Sequence, residues 1–300
     1  MKIGLIDVDS HNFPNLCLMK LSAYHKDRGD DVEWWNGFLH YDRVYQSKVF
    51  DDTYSEDMEF CVSADEIIKG GSGYGLDNRL PDEIEHQMPD YSLYGIDDKA
   101  YGLLTRGCPR GCPFCITTKK DGAKSRKVAD LSEFWKGQHT VELLDQNLLA
   151  CEDAEDLLIQ LAESKANVDF SQGLDARLLT RDTIELINKI NTRSMHFAWD
   201  FMKSESDVLR GLELYRRHAS RKVSGHGYAV VFVLTNFDTT HVEDLYRVNV
   251  LRSMKMEPFI MVYDKPNAPK ITRHLQRYVN NRFIFWKVSW EEYMKERNIA

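Results

Sequence analysis

From Ala100 onward, short apolar runs alternate with longer amphipathic ones, and the alternation repeats six times. The short runs are "AYGLLT", "HTVELLDQ", "NVDFSQG", "SMHFAWD", "YAVVFVLTN" and "EPFIMVYD". Apolar runs of this length between polar residues read as buried strands. The stretches "CEDAEDLLIQLAES" and "TRDTIELINKI" begin acidic or with threonine, and "SESDVLRGLELYRRH" and "TTHVEDLYRVNVLRSM" end basic, as helices do. Strand followed by helix, repeated, favours a parallel sheet, because parallel neighbours need a crossover connection. Six units are two short of a closed eight-fold barrel. The pattern predicts an α/β chain with an open partial (β/α)6 TIM-type barrel. Its functional groups should lie at the C-terminal ends of the strands, where the strand-to-helix loops gather.

The front of the chain alternates in the same way on a smaller scale. "KIGLIDV" reads as a strand, "FPNLCLMKLSAYHKDRG" as a helix with Pro14 in its first turn, and "DVEWWN" and "DRVYQSKVF" as further strands. From about Lys69 the character changes. "KGGSGYGLDNRLPDEIEHQMPD" holds four glycines and two prolines and reads as a connector with one short helix at most. The expected organisation is a small, truncated Rossmann-like parallel-sheet domain over 1–75, a connector over 76–99, and the barrel with a helical tail over 100–300.

The chain has 300 residues, is 43% hydrophobic and carries a net charge of −8, enough apolar content for a sizeable core. No apolar run approaches the length of a membrane span. "MKIGLIDVDS" lacks the pattern of a signal peptide. A cytoplasmic protein with no membrane association is expected. An acidic chain is also unsuited to general nucleic-acid binding, which phosphate neutralisation drives.

Three of the six cysteines, Cys108, Cys112 and Cys115, fall within eight residues in "TRGCPRGCPFCITTKK". Thiolates are soft ligands that select zinc or iron–sulfur chemistry. A structural zinc site wants four protein ligands, and a ferredoxin cluster four thiolates. Three ligands on a four-iron cluster would leave one iron open, as catalytic metal sites do. The loop directly follows the first strand of the six-unit array, at the expected rim. Cys17, Cys61 and Cys151 are dispersed among apolar neighbours and read as small buried hydrophobes.

"CPRGCPFC" in this position resembles the signature of the radical S-adenosylmethionine (radical SAM) superfamily, Cys-x3-Cys-x-aromatic-Cys, with Phe114 in the aromatic place. The resemblance covers roughly residues 100 to 265. It implies a 4Fe–4S cluster on Cys108, Cys112 and Cys115, whose open iron chelates the amino and carboxylate groups of S-adenosylmethionine. One electron then yields methionine and a 5′-deoxyadenosyl radical that abstracts hydrogen from a substrate. The resemblance also implies a protein reductant such as flavodoxin or ferredoxin. The substrate class, small molecule, peptide or nucleotide, stays open.

Polar residues at successive strand ends are the cofactor-binding candidates. "ELLDQNLL" offers Asp145 and Asn147 for an ammonium group in place of the superfamily's glycine- and glutamate-containing motif; helix capping is the alternative. "DFSQGLDARLL" offers Gln172 and Arg177, the latter for a carboxylate or simply for Asp175. Asp200 could meet ribose hydroxyls, beside a packed Trp199. Phe114 completes this set, and Asn236 and Tyr263 are weaker candidates. The basic run of Lys119, Lys120, Lys124, Arg126 and Lys127 reads as a solvated loop or as a guide for an anionic substrate. Trp286 and Trp290 in the tail are expected to pack.

The front domain resembles, more weakly, the one that precedes the barrel in cobalamin-type radical SAM proteins. Asp9 and His11 match part of an Asp-x-His-x-x-Gly motif, but Pro14 replaces the glycine and the domain is short. Cobalamin is therefore not expected to bind. Two other readings stand beside the enzyme: a non-catalytic zinc or electron-transfer iron–sulfur protein, and an inactive radical SAM relative.

Overall fold

The computed structural model describes residues 1–11, 13–55, 62–220 and 229–298, and Cys61 lies outside them. The chain forms two compact units, residues 1–142 and 143–300.

The first unit opens with a four-stranded, all-parallel sheet in the order β2-β1-β3-β4. Its strands are β1 (Lys2–Asp7), β2 (Asp31–Trp34), β3 (Tyr41–Ser47) and β4 (Ala64–Gly70). Helix α1 (Leu16–Asp27) links β1 to β2. Ile3, Leu5 and Tyr45 bury against Leu18 and Leu21 of α1, while Ile6, Tyr41 and Val44 form a second cluster. The helix begins later than the proline suggested. Asn15 is its N-cap, accepting from the Leu18 N–H at 3.3 Å, and Pro14 lies outside the first turn.

Strand β4 falls where the composition suggested the approach to a connector. It is an edge strand whose Ile67 and Ile68 are both exposed, so "ADEIIKG" carries no buried alternation. Beyond it come α2 (Asp82–Glu85), β5 (Lys99–Gly102), β6 (Thr105–Arg106), α3 (Thr117–Asp121), β7 (Arg126–Lys127) and β8 (Thr140–Leu143). β5 and β8 are neighbours in one sheet.

The second unit continues the alternation. α4 (Ala154–Ser164), β9 (Asn167–Phe170), α5 (Arg181–Ile187), β10 (Asn191–Ser194), β11 (His196–Ala198) and α6 (Glu205–His218) come first. β12 (Val230–Thr235), α7 (His241–Ser253), β13 (Glu257–Val262), α8 (Lys270–Val279), α9 (Arg282–Phe285) and α10 (Trp290–Glu296) follow. β10 pairs with β9 in parallel through a bulge between Thr192 and Ser194, and β11 pairs with β12, which pairs with β13. The single strand expected at "SMHFAWD" is thus preceded by a second one, with Met195 at the break.

One face of β11–β13 is buried. Phe197, Val231, Val233 and Ile260 are inaccessible, with Tyr215 of α6 edge-on to Phe197 and Leu275 and Val248 around Ile260. On the other face His196 stacks on Phe232 at 5.3 Å, and Phe232 meets Phe259 edge-on at 5.9 Å. Phe259, Met261 and Tyr263 there remain 42%, 48% and 41% exposed. Trp290 packs into the tail's core with Trp286 against it, as expected. Parallel strands with crossover helices make this an α/β fold in both units. No helix among the described residues is long and apolar enough to cross a membrane.

Candidate metal and cofactor sites

The cysteine loop belongs to the first unit. It does not spring straight from β5. The chain passes from β5 into β6, makes the loop, turns through α3 and returns as β7. β6 and β7 pair antiparallel, Thr105 opposite Lys127 and Arg106 opposite Arg126. The three cysteines therefore sit in an excursion whose two ends are tied together.

Local chemistry shapes the loop. Gly107 has φ +94°, and a Cβ there would lie 2.2 Å from the Lys124 carbonyl oxygen, so only glycine fits. Gly111 has φ +57° with open space around it. The Cys108 N–H donates to the Gly122 carbonyl at 3.1 Å, and the Cys115 N–H to the Cys112 carbonyl at 3.0 Å. The Thr118 hydroxyl donates to the Cys108 carbonyl at 3.3 Å. Thr117 meets the Cys115 sulfur twice: its backbone N–H donates to the sulfur at 3.4 Å, and the Cys115 thiol donates to its hydroxyl at 3.2 Å. A backbone N–H aimed at a sulfur would tune a metal bound there. All three thiols are half-buried, and none of the described cysteines is in a disulfide. Phe114, also half-buried, stands within the loop.

The donor set has a shape as well as a composition. Among the described residues no three His, Cys, Asp or Glu side chains are gathered to hold a single metal ion. A zinc site needs its sulfurs about 2.3 Å from one point. A four-iron cluster takes each thiolate on a different iron, so its ligands stand apart around a cube. Three thiols on one partly exposed loop supply the soft donors such a cluster takes.

The strand-end residues lie in the second unit, and part of them form one network. Asp175 accepts from the Arg177 Nε at 2.7 Å and its Nη2 at 3.0 Å, and from the Arg177 backbone N–H at 3.2 Å. The Asn147 amide donates to the second Asp175 oxygen at 3.2 Å. Arg177 is paired with Asp175, one of the two partners that the sequence left open. Asn147 precedes a short 3-10 turn but makes no side-chain cap there; its amide is turned to Asp175 instead. Asp145 and Asn147 are both buried, and Gln172 is exposed. Asp200 is half-buried, and burial pushes its carboxyl above the usual range against the pull of Arg247. Trp199 is fully buried with its indole N–H donating to the Phe201 carbonyl, a packing role as expected. Asn236, at φ +63°, ties the ends of β12 and β13 through the Tyr263 carbonyl at 2.8 Å.

Two features escaped the sequence reading. Arg247, on α7, is wholly buried and donates to the Trp199, Asp200 and Leu234 carbonyls and to Asp244 at 2.6 Å. It gathers the C-terminal ends of β11 and β12. The second is a polar group within the strands. The Ser194 hydroxyl donates to Asp169 at 3.0 Å, and His196 Nδ1 lies 3.5 Å from the same carboxylate oxygen. The period-two alternation of "NVDF" and "SMHF" contained that signal, because alternate strand residues share a face.

In the front sheet both Asp9 oxygens accept backbone N–H groups, from Val49 at 2.7 Å and Phe50 at 2.9 Å. The carboxylate anchors the loop after β3 and does not serve as the partner of His11, which is exposed at φ +46°. Burial raises the Cys17 thiol pKa, and Cys151 is buried, in keeping with apolar roles for both.

No family model matches the chain, and no curated protein matches it in sequence. In fold it is similar to a solved radical S-adenosylmethionine methyltransferase, TsrM, from Kitasatospora setae, determined with cobalamin and a 4Fe–4S cluster bound. The TM-score is 0.61 and the identity 11%, over 87% of this chain and 74% of the other. At that identity the likeness is one of fold. The expectation that cobalamin is absent gains no support from it, because the neighbour carries cobalamin.

Proposed function

We propose that this chain is a radical SAM enzyme whose cluster is held by Cys108, Cys112 and Cys115. The observation that carries the proposal is the pinched, glycine-shaped Cys-x3-Cys-x2-Cys loop on a chain whose fold is similar to that of a radical SAM methyltransferase. A bound 4Fe–4S cluster would supply the electron that breaks the carbon–sulfur bond of S-adenosylmethionine. The protein's own part is to present three thiols on one glycine-shaped loop and to direct the Thr117 backbone N–H at the Cys115 sulfur.

The parallel strand–helix alternation of β9 to β13 is in keeping with the open six-unit barrel proposed for 100–300, although the break at Met195 divides these strands between two sheets. The Asn147–Asp175–Arg177 network has the groups that an amino acid's ammonium and carboxylate require. We assign Asp145, Asn147, Gln172, Arg177, Asp200 and Phe114 to S-adenosylmethionine binding on that chemistry. Hydrogen abstraction from a substrate whose class is open completes the reading.

The test is anaerobic purification, cluster reconstitution, and addition of dithionite and S-adenosylmethionine, with 5′-deoxyadenosine read by mass spectrometry. Product from the native chain and none from Cys112→Ala supports the enzyme. An intact iron–sulfur spectrum without product shifts the reading to an electron-transfer protein or inactive relative. A colourless zinc protein refutes it.

A further inference from the structure

Helix α8 carries cations along one face and no acid anywhere in its ten residues, "KITRHLQRYV". Lys270, Arg273, His274 and Arg277 recur at i, i+3, i+4 and i+7, the spacing that aligns side chains in one stripe. Thr272, Leu275, Tyr278 and Val279, on the other side, are buried. Lys270 and Arg277 are exposed, and Arg273 and His274 are half-buried. Elsewhere in the second unit surface arginines meet carboxylates: Arg181 has Glu185, Arg216 and Arg217 share Glu213, and Arg282 has Glu257. Among the described residues no carboxylate pairs with Lys270, Arg273 or Arg277. Asp264, before the helix, accepts the Asn267 amide, and Glu292 of α10 closes its own capping box. Burial, and after it Arg277, Arg273, Arg297 and Lys270, push the His274 imidazole below its usual range. Arg297, at the end of α10, therefore belongs to the same cationic surface.

Helix stability does not explain the stripe. Lys270 and Arg273 stand in the first turn, where the macrodipole favours acids, and Arg273 and Arg277 are like charges four residues apart. Both placements disfavour the helix alone and suit a polyanion laid along it. A membrane surface would need an apolar stripe beside the charge, and α8 commits its apolar residues to the core. Arginine forks match phosphate oxygens in pairs. Phe283 on α9, directly after α8, is 71% exposed and offers a face on which a base stacks. That combination favours a nucleic acid over an acidic protein. The net charge of −8 argues against a general nucleic-acid coat and not against one local stripe.

We propose that the exposed face of α8, together with Arg297, binds the phosphodiester backbone of a single-stranded nucleic acid. The inference is independent of the cysteine loop and of the reaction assigned to it.

The test compares the full native chain with Lys270→Gln/Arg277→Gln and with the charge-keeping Lys270→Arg/Arg277→Lys. Both positions are exposed, so denaturant midpoints of the three proteins should agree. Binding of fluorescein-labelled oligouridylate and oligodeoxythymidylate, each of about 20 nucleotides, is followed by anisotropy between about 50 and about 300 mM salt. About four phosphate contacts on a single strand give a slope of log K against log salt near −3, and removing two should bring it to about −1.5. The glutamine variant should bind at least about tenfold more weakly at about 50 mM salt, and the charge-keeping variant should stay within about threefold of native. The two oligonucleotides share the backbone chemistry, and their ratio tells whether RNA or DNA is preferred. Equal affinity and equal slope in the native and glutamine proteins overturn the proposal. So does binding of polyglutamate or of phosphatidylserine vesicles that the glutamine variant loses while it keeps both oligonucleotides, because the stripe would then serve an acidic protein or a membrane.

Discussion

Replacing Gly107 with alanine should damage the cysteine loop far more than the same change at Gly111. At Gly107 the new Cβ would sit 2.2 Å from the Lys124 carbonyl oxygen and 3.2 Å from the Asp121 carbonyl oxygen. Ordinary contact begins near 3.4 Å, so the return limb of the loop must move by more than 1 Å. Overpacking of this kind costs about 1–3 kcal/mol. Holding a non-glycine residue at φ +94° adds about 1–3 kcal/mol. The sum is a loss of about 2–6 kcal/mol in unfolding free energy. At Gly111 the φ of +57° lies in the left-handed well with no atom within 4 Å, so the cost is about 1 kcal/mol. Urea unfolding measures the difference, and iron per chain after reconstitution reads the loop itself. Gly107→Ala should take up markedly less iron, and Gly111→Ala nearly the full amount. Equal stability and equal iron in the two variants would refute the account of the loop.

Arg247→Met should destabilise the second unit by about 3–5 kcal/mol in denaturant unfolding, because it removes the cationic partner of the buried Asp244 carboxylate, which keeps the Thr239 hydroxyl, and the donor of the strand-end carbonyls. Tryptophan fluorescence should change with it, since Trp199 lies directly against the guanidinium. Glu213→Gln should cost less than about 1 kcal/mol at neutral pH, the pair being partly exposed. Arg216 and Arg217 lower the Glu213 pKa from 4.5 to about 2. A depressed carboxylate stabilises the fold above its unfolded pKa and loses that contribution as pH falls through the folded one. Native and variant unfolding curves should therefore converge between about pH 5 and pH 2.

Where burial and periodicity agreed, the sequence was legible. β1, β9, β12 and β13 fall inside the runs read from it, as do α1 and α4 to α7. β4 was not, because an exposed edge strand rich in charge has no apolar alternation to detect. The β6–β7 pairing was hidden for another reason: two-residue strands are fixed by their partners, and each alone is too short to show a period. The cysteines announced themselves by spacing, and Gly107 and Gly111 explain how their loop turns. The choice between an external carboxylate and Asp175 for Arg177 could not be made from order along the chain. It depends on the two-residue offset in the short turn at Ala176–Leu178, which brings both side chains together. Arg247 was invisible because a basic residue in the middle of a surface helix ordinarily faces water.

On the proposed reading, the tie between Thr105 and Lys127 bears on the order of events in loading the cysteine loop. Joining the ends of a flexible segment carries an entropic cost, and here backbone pairing meets it before iron is needed. The three thiols are then carried on one closed loop, so after the first sulfur binds, the others are tethered near it. Metal uptake becomes a late filling of a folded loop and need not be the event that folds it. The iron-free chain should on this account already hold its loop geometry, and reconstitution should proceed on native protein without prior unfolding.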